Sequence, residues 1–233
     1  MRILALDTST EWCSVAVGDG THWHRLDELV RQAHSERLLP MVRLALANAG
    51  WALEGLDGIA FGAGPGSFTG VRIGCGVAQG LALGADLPML PVGTLEALAQ
   101  EANRTRGWRS VLPCLDARMR EVYVAAYALI DDAWRGSIPP AVMPPSDVRC
   151  PSPIGSAEWR GAGNGFAAYP VLASELALVE ADADARPTAQ SVGELALPRL
   201  AAGEGMIAAD AAPMYVRHRV ALTAVEQAQG VRL

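Results

Sequence analysis

Two carboxylates stand at the ends of similar apolar runs. Ile3-Leu4-Ala5-Leu6-Asp7 is followed four residues later by Glu11 and a strand-like segment. Val111-Leu112-Pro113-Cys114-Leu115-Asp116 is followed five residues later by Glu121 and the strand-like stretch Val122 to Leu129. One strand-end carboxylate per half suits a two-lobed phosphotransfer protein, in which the turn after each lobe's first strand brings backbone amides up to nucleotide phosphates. Such a turn normally needs glycine for the close approach. Here the turns are Thr8-Ser9-Thr10 and Ala117-Arg118-Met119, without glycine, so a phosphate cradle is weakened on both sides. Asp7 reads either as a structural or interfacial residue or as a direct ligand contact, and Asp116 reads as structural.

Glycine is concentrated elsewhere. Phe61 to Gly84 runs from an apolar strand through Gly64-Pro65-Gly66 into a helix holding Gly70, Gly74, Gly76, Gly80 and Gly84. Ser67 and Thr69 stand where their hydroxyls can accept from unpaired N–H groups of the first helical turn. The segment Gly62 to Thr69 is either an anion site at a helix N-terminus or a tight strand-to-helix turn. It lacks the Lys-Ser/Thr ending of a P-loop. Each glycine inside the helix costs about 0.8–1 kcal/mol relative to alanine, a cost that close packing would offset. At 100° per residue Gly70, Gly74 and Ala78 share one face and Gly76, Gly80 and Gly84 another. The two smooth faces imply two close neighbours, the chain's own sheet and a helix of a partner subunit.

The remaining inventory is poor in chemistry. The histidines, His22, His24, His34 and His218, form neither HxxxH nor HExxH. Ser67 is not in a GxSxG elbow, because Thr69 occupies the last glycine position. Cys13, Cys75, Cys114 and Cys150 are widely spaced, which fits a reducing cytoplasm. A net charge of −6 gives no electrostatic footprint for nucleic acid, and the short arginine groups (Arg104, Arg106, Arg109; Arg118, Arg120; Arg217, Arg219) read as solvated surface. The uncharged run near Ile73 to Ala85 is too short and too glycine-rich to cross a membrane.

The elements that must position these residues follow from periodicity in an α/β chain of 233 residues. Strands are expected at Arg2 to Leu6, Trp12 to Val17 and Thr21 to Leu26, with Asp19-Gly20 as a hairpin turn. Ser35 to Ala49 is expected as a helix stopped by Gly50, with Pro40 tolerable only near its first turn. Strand Gly58 to Phe61, the glycine-rich helix, strand Pro88 to Val92 and helix Thr94 to Gln100 complete the order βββαβαβα. The paired strand–Leu-Asp–turn–strand openings point to an internal duplication. Six prolines between Ile138 and Pro153 mark an irregular connection or an edge. Arg160 to Gly165 is a second glycine-rich turn, Ser191 to Ala202 an amphipathic helix, and Pro213 to Arg217 the start of a segment that packs back on the first half.

Several blocks resemble the TsaB (YeaZ) family of the bacterial tRNA threonylcarbamoyladenosine machinery. They are Ile3 to Thr10, His34-Ser35-Glu36-Arg37-Leu38-Leu39-Pro40, Gly62 to Gly74, Pro91 to Leu95, Asp116-Ala117-Arg118 with Glu121-Val122-Tyr123, and Pro213-Met214-Tyr215-Val216-Arg217. Together they span most of the chain, and Asp131 to Ala157 departs from the pattern. The resemblance implies an actin-like ATPase (ASKHA) fold, two RNase-H-like lobes of βββαβα order. Residues 1–104 would form the first lobe, joined by segment 210–233, and residues 105–209 the second. It implies a non-catalytic subunit that binds and activates TsaD, the transferase acting on adenosine 37 of tRNA, with TsaE, a small P-loop ATPase, as third component. Alone, such a subunit would self-associate. The implied interface lies on the two first-lobe helices, at His34, Leu38, Leu39, Val42, Ala45, Leu46, Arg72, Gly74, Val77, Ala78 and Leu81. Asp7, Thr8, Ser9, Gly64, Gly66, Ser67 and Thr69 would be a vestigial ligand cradle. No firmly held cofactor and no zinc are expected, with at most weak ATP or ADP at a subunit interface. tRNA would be touched indirectly or weakly, with no membrane contact. The alternative is an ATPase or small-molecule kinase acting alone; a peptidase finds neither a metal cage nor an activated nucleophile.

Overall fold

The computed structural model describes residues 1–152 and 158–217. Expectations on Pro153, His218, Arg219 and the rest of 218–233 lie outside the described residues.

The chain opens with strands β1 (Ile3–Asp7), β2 (Trp12–Gly18) and β3 (Trp23–Leu29), then helix α1 (His34–Ala49). Strand β4 (Gly58–Gly64), helix α2 (Phe68–Ala85), strand β5 (Met89–Gly93) and helix α3 (Thr94–Arg106) complete the first half. The second half has strands β6 (Ser110–Arg118), β7 (Glu121–Ile130), β8 (Ala133–Met143) and β9 (Arg160–Ala162). The short helices α4 (Gly165–Ala168) and α5 (Leu172–Glu175), strand β10 (Ala181–Asp182) and helix α6 (Ala189–Ala201) follow.

Two five-stranded sheets result, ordered β3-β2-β1-β4-β5 and β10-β9-β6-β7-β8. In each, the opening three strands are antiparallel and the last two join in parallel. The duplicated Leu-Asp openings therefore occupy equivalent places, at the ends of central strands β1 and β6. These are the two RNase-H-like lobes of an actin-like ATPase fold.

β1 is apolar throughout because both of its faces are covered. Leu4 and Leu6 pack under α1 and α2 with Leu38, Val42, Phe61 and Ala78. Ile3 and Ala5 point the other way, against Ala189, Val192 and Ala196 of α6. Trp23 lies where a Cβ on Gly18 or on Gly193 would overlap its ring, so those glycines let α6 lie close to the sheet. α3 fills the middle of the molecule: Ala97 joins the first lobe's core, and Leu95, Leu98, Ala99 and Ala102 join that of the second sheet.

Three expectations are corrected. α6 does not belong with the second lobe, as the division at 105–209 required. It carries the apolar residues that close the first sheet's open face, so the chain returns to the first lobe by Ala189. Pro40 sits inside α1 rather than in its first turn. It is tolerated because Pro40 and Glu36 are both exposed, so water can reach the carbonyl that proline leaves without a donor. The third strand lies at Trp23–Leu29 rather than at Thr21 to Leu26. The edge expected of the proline-rich stretch is found: Pro139 and Pro140 lie within β8, at a register shift on an edge strand, where a missing N–H costs no ladder bond.

Candidate functional site

A cleft of about 460 Å³ opens between the lobes. Its walls are the turn after β1 (Ser9, Thr10), the β4–α2 turn (Pro65 to Phe68), the end of β6 with its turn (Leu115 to Met119), Asn164, and residues 214–217. This is where two strand-end carboxylates would meet a ligand, yet neither is free. Asp7 is buried, and its Oδ1 accepts from the Ser9 N–H at 3.1 Å and the Ser9 hydroxyl at 2.8 Å. Its Oδ2 has no partner among the described residues and faces Gly62, where a Cβ would overlap it. Burial pushes the carboxyl up to about 6 despite the Ser9 hydrogen bonds. Asp116 accepts from the Arg118 N–H at 2.9 Å and pairs with the Arg118 guanidinium at 3.1 Å. The Asp116 N–H donates to Asn164 Oδ1 at 2.9 Å.

The glycines explain themselves through the same turn. A Cβ on Gly66 would strike the Ser9 carbonyl, on Gly70 the Thr8 carbonyl, and on Gly74 the Thr8 hydroxyl. The glycine run makes room for the chain's own Asp7–Ser9 turn. The contacts knit it in place: the Ser67 N–H donates to the Ser9 carbonyl at 2.7 Å, and the Thr8 hydroxyl donates to the Gly70 carbonyl at 2.7 Å. Gly64 is held at φ 106°, and its N–H donates to the Thr94 hydroxyl at 3.1 Å. Of the seven cradle residues, Ser9, Gly66 and Ser67 reach the cleft, while Asp7, Thr8, Gly64 and Thr69 do not line it. Ser67 caps α2, accepting from the Gly70 N–H at 3.2 Å; Thr69 is exposed and lies past the cap.

Other reactive groups are muted. Burial, with smaller contributions from neighbouring carboxylates, pushes the Cys13 and Cys114 thiols up to about 12, so neither supplies a thiolate at neutral pH. His34 is buried, with Nε2 3.3 Å from the Trp12 carbonyl; His22, just before β3, and His24, on it, are exposed. Among the described residues no three His, Cys, Asp or Glu side chains gather as a metal site.

The interface residues divide sharply. His34, Leu38, Val42, Ala45, Gly74 and Ala78 are buried within the first lobe, so this chain's own core already occupies them. Leu46, Val77 and Leu81 are half-buried; Leu39 and Arg72 are exposed. The outward face of α2 is instead Arg72, Gly76, Gly80, Leu83 and Gly84, and nothing lies within 4 Å of where a Cβ on any of these glycines would stand. Leu83 is 78% exposed and Leu44 of α1 52%. The sequence reasoning missed Leu44 and Leu83, although both follow from the helical phase once the inner face is known. It also missed Phe68, Asn164 and the bridging role of Arg217, for which spacing along the chain gives no signal.

The family profile "TsaD: tRNA N6-adenosine threonylcarbamoyltransferase" matches residues 27–224. The tRNA threonylcarbamoyladenosine biosynthesis protein TsaB of Escherichia coli (strain K12) is 44% identical over 227 residues, covering 95% of this chain and 96% of its own. The protein of that name from Haemophilus influenzae is 40% identical, over 94% and 95%. Among solved structures, YeaZ from Pseudomonas aeruginosa superposes with a TM-score of 0.84 at 44% identity, covering 92% of this chain and 99% of that one.

Proposed function

The chain belongs to the TsaB (YeaZ) family, and from that premise we propose that it serves tRNA threonylcarbamoyladenosine synthesis as a non-catalytic subunit. It binds and activates a TsaD-like transferase, with a TsaE-like ATPase as third component. Without that partner it pairs with a second copy of itself. The partner makes the principal contacts with tRNA, ATP or ADP is at most weakly held at the subunit boundary, and the complex works in the cytoplasm.

The observation that carries this reading is the outward face of α1 and α2. Gly76, Gly80 and Gly84 form a strip with open space above it, beside the exposed Leu83 of the same helix, and α1 exposes Leu39 and Leu44. Glycines on a solvated helix face cost stability without return, whereas beneath a docked helix they permit close approach of two backbones. The state of the cleft supports the non-catalytic part. Asp7 is turned into the core, Asp116 is tied to Arg118, and neither stands ready as a general base.

The test is co-purification and gel filtration with a TsaD-like HxxxH protein. Wild type is expected to form an equimolar complex. Gly80→Trp is expected to abolish it while leaving the melting of the isolated chain intact, and unchanged association of that variant would reject the docking face. The interlobe cleft favours the second reading, an ATPase or kinase acting alone. Calorimetry with ATP–Mg²⁺ on the isolated chain separates the two, since micromolar binding with turnover belongs only to the enzyme.

A further inference from the structure

We propose that residues 213–217 are a strap that latches the two lobes across the cleft, with Arg217 as the latch and Arg72 with Tyr215 as its anchor on α2.

The anchor is built from α2 and β4. The Met214 N–H donates to the Ala63 carbonyl at 2.7 Å. A Cβ on Gly64 would stand 2.8 Å from the Met214 carbonyl, so the strap lies against backbone that only glycine leaves clear. The Arg72 Nε–H donates to the Tyr215 hydroxyl at 2.8 Å, and its guanidinium lies 3.7 Å above the Phe68 ring. Phe68 and Tyr215 have ring centroids 5.9 Å apart. Upstream, the Gln79 side-chain amide donates to the Ala208 and Ala211 carbonyls at 2.9 and 3.0 Å, which tethers the approach to the strap along the same helix.

Two residues past Tyr215, the chain has crossed to the other lobe. Arg217 Nη2 donates to the Glu121 carboxylate at 2.6 Å and to the Ala117 carbonyl at 3.1 Å; Nη1 lies 3.2 Å from Met119 Sδ. One guanidinium therefore holds both stems of the β6–β7 hairpin and its tip. That hairpin needs holding. Arg118, Met119 and Arg120 all have positive φ (61°, 53° and 62°), a left-handed run in which each Cβ crowds the following carbonyl. Consecutive non-glycine residues in that region persist where their surroundings over-determine them. Arg217 supplies that determination from the opposite lobe.

The arrangement also gives the latch an input. Arg72 is exposed on the outward side of α2, one turn before Gly76. A partner seated on that face, which rests on the docking reading above, would compete with Tyr215 for Arg72 and loosen the strap at its anchor. The strap itself requires no partner, and neither does its test.

The test is hydrogen–deuterium exchange of the full chain alone, read at the amides of residues 117–121 and, as a control for folding, at those of β1. Loss of a charge-assisted hydrogen bond should speed hairpin exchange in Arg217→Ala by about tenfold. Arg72→Ala, which touches only the far anchor, is expected to speed the same amides several-fold while β1 stays protected. Glu121→Gln weakens the latch from the hairpin side and reads the same effect should Arg217→Ala fold poorly. Hairpin exchange at the wild-type rate in Arg72→Ala would overturn the strap as a coupled unit. So would wild-type exchange in both Arg217→Ala and Glu121→Gln. Failure to co-purify with a TsaD-like protein would sink the docking reading and leave this result standing.

Discussion

Asp7 concentrates the residue-scale chemistry. Its carboxyl is buried with one oxygen satisfied by Ser9 and the other pressed toward Gly62, so the charged form is disfavoured. A folded-state value of about 6 against an ordinary 3.8 means that the folded chain holds a proton over a range where the unfolded chain has lost it. The folded value is raised, so its favourable contribution is present at low pH and is lost as pH rises through about 6. The interval from 3.8 to about 6 caps that contribution at about 3 kcal/mol. Urea melts of the wild type should therefore show stability rising as pH is lowered from 7.5 toward 5, and Asp7→Asn should show a smaller rise, the part that remains coming from Glu96, which burial also raises. Glu101 acts in the opposite sense. Burial raises it, but hydrogen bonds from Arg104, Ser191 and Thr188 outweigh burial and leave it below its ordinary 4.5. Its contribution is present above 4.5 and is lost as pH falls through the lowered folded value. The two groups therefore act in opposite senses as pH falls.

At the scale of the element, α2 has two faces of equally small residues with opposite physical meaning. Gly74 faces the Thr8 hydroxyl, and a methyl group there must displace it. Gly74→Ala is expected to destabilise the chain by about 1–3 kcal/mol, the usual cost of overpacking. Gly80 faces open space. Gly80→Ala should stabilise the isolated chain by about 0.5–1 kcal/mol through helix propensity alone. Thermal melts of the two variants should therefore move in opposite directions; movement in the same direction would refute the assignment of faces. This contrast also bears on how the proposed interface is to be tested. A bulky residue at Gly74 or Ala78 would break the lobe's own packing before it could report on any partner, and the informative positions are Gly76, Gly80 and Gly84.

At the scale of the whole molecule, the lobes are not independent along the chain. α6 comes from the second half of the sequence and covers Ile3, Ala5, Ala16, Ala60, Leu90 and Val92 of the first sheet. A chain ending at residue 188 would leave that apolar face in water. It is expected to bind a hydrophobic dye and to lose its cooperative melt, while full-length protein does neither. A cooperative melt of the shortened chain would restore the boundary expected from sequence. α3 lends apolar residues to both sheets and the strap crosses between the lobes, so motion of one lobe against the other must disturb α3 or residues 213–217.

What the sequence determined by itself was local or repeated. Continuous apolar runs marked β1 and β6 as buried strands, the Gly-Pro-Gly turn before Ser67 marked the start of α2, and the paired Leu-Asp openings marked the duplication that both sheets reproduce. The phase of a helix also says which residues share a face. It does not say which face is buried when both are glycine and alanine, because their hydrophobicity is nearly equal. Tertiary structure alone decided that Gly70, Gly74 and Ala78 turn inward while Gly76, Gly80 and Gly84 stay open. It alone decided that the first turn fills the room made by its own glycines, that α6 crosses to the first sheet, and that Arg217 joins the lobes. Each of those outcomes depends on contacts between residues far apart in the chain, and such contacts are selected by shape and apolar area when the sheets close, not by the spacing of neighbours.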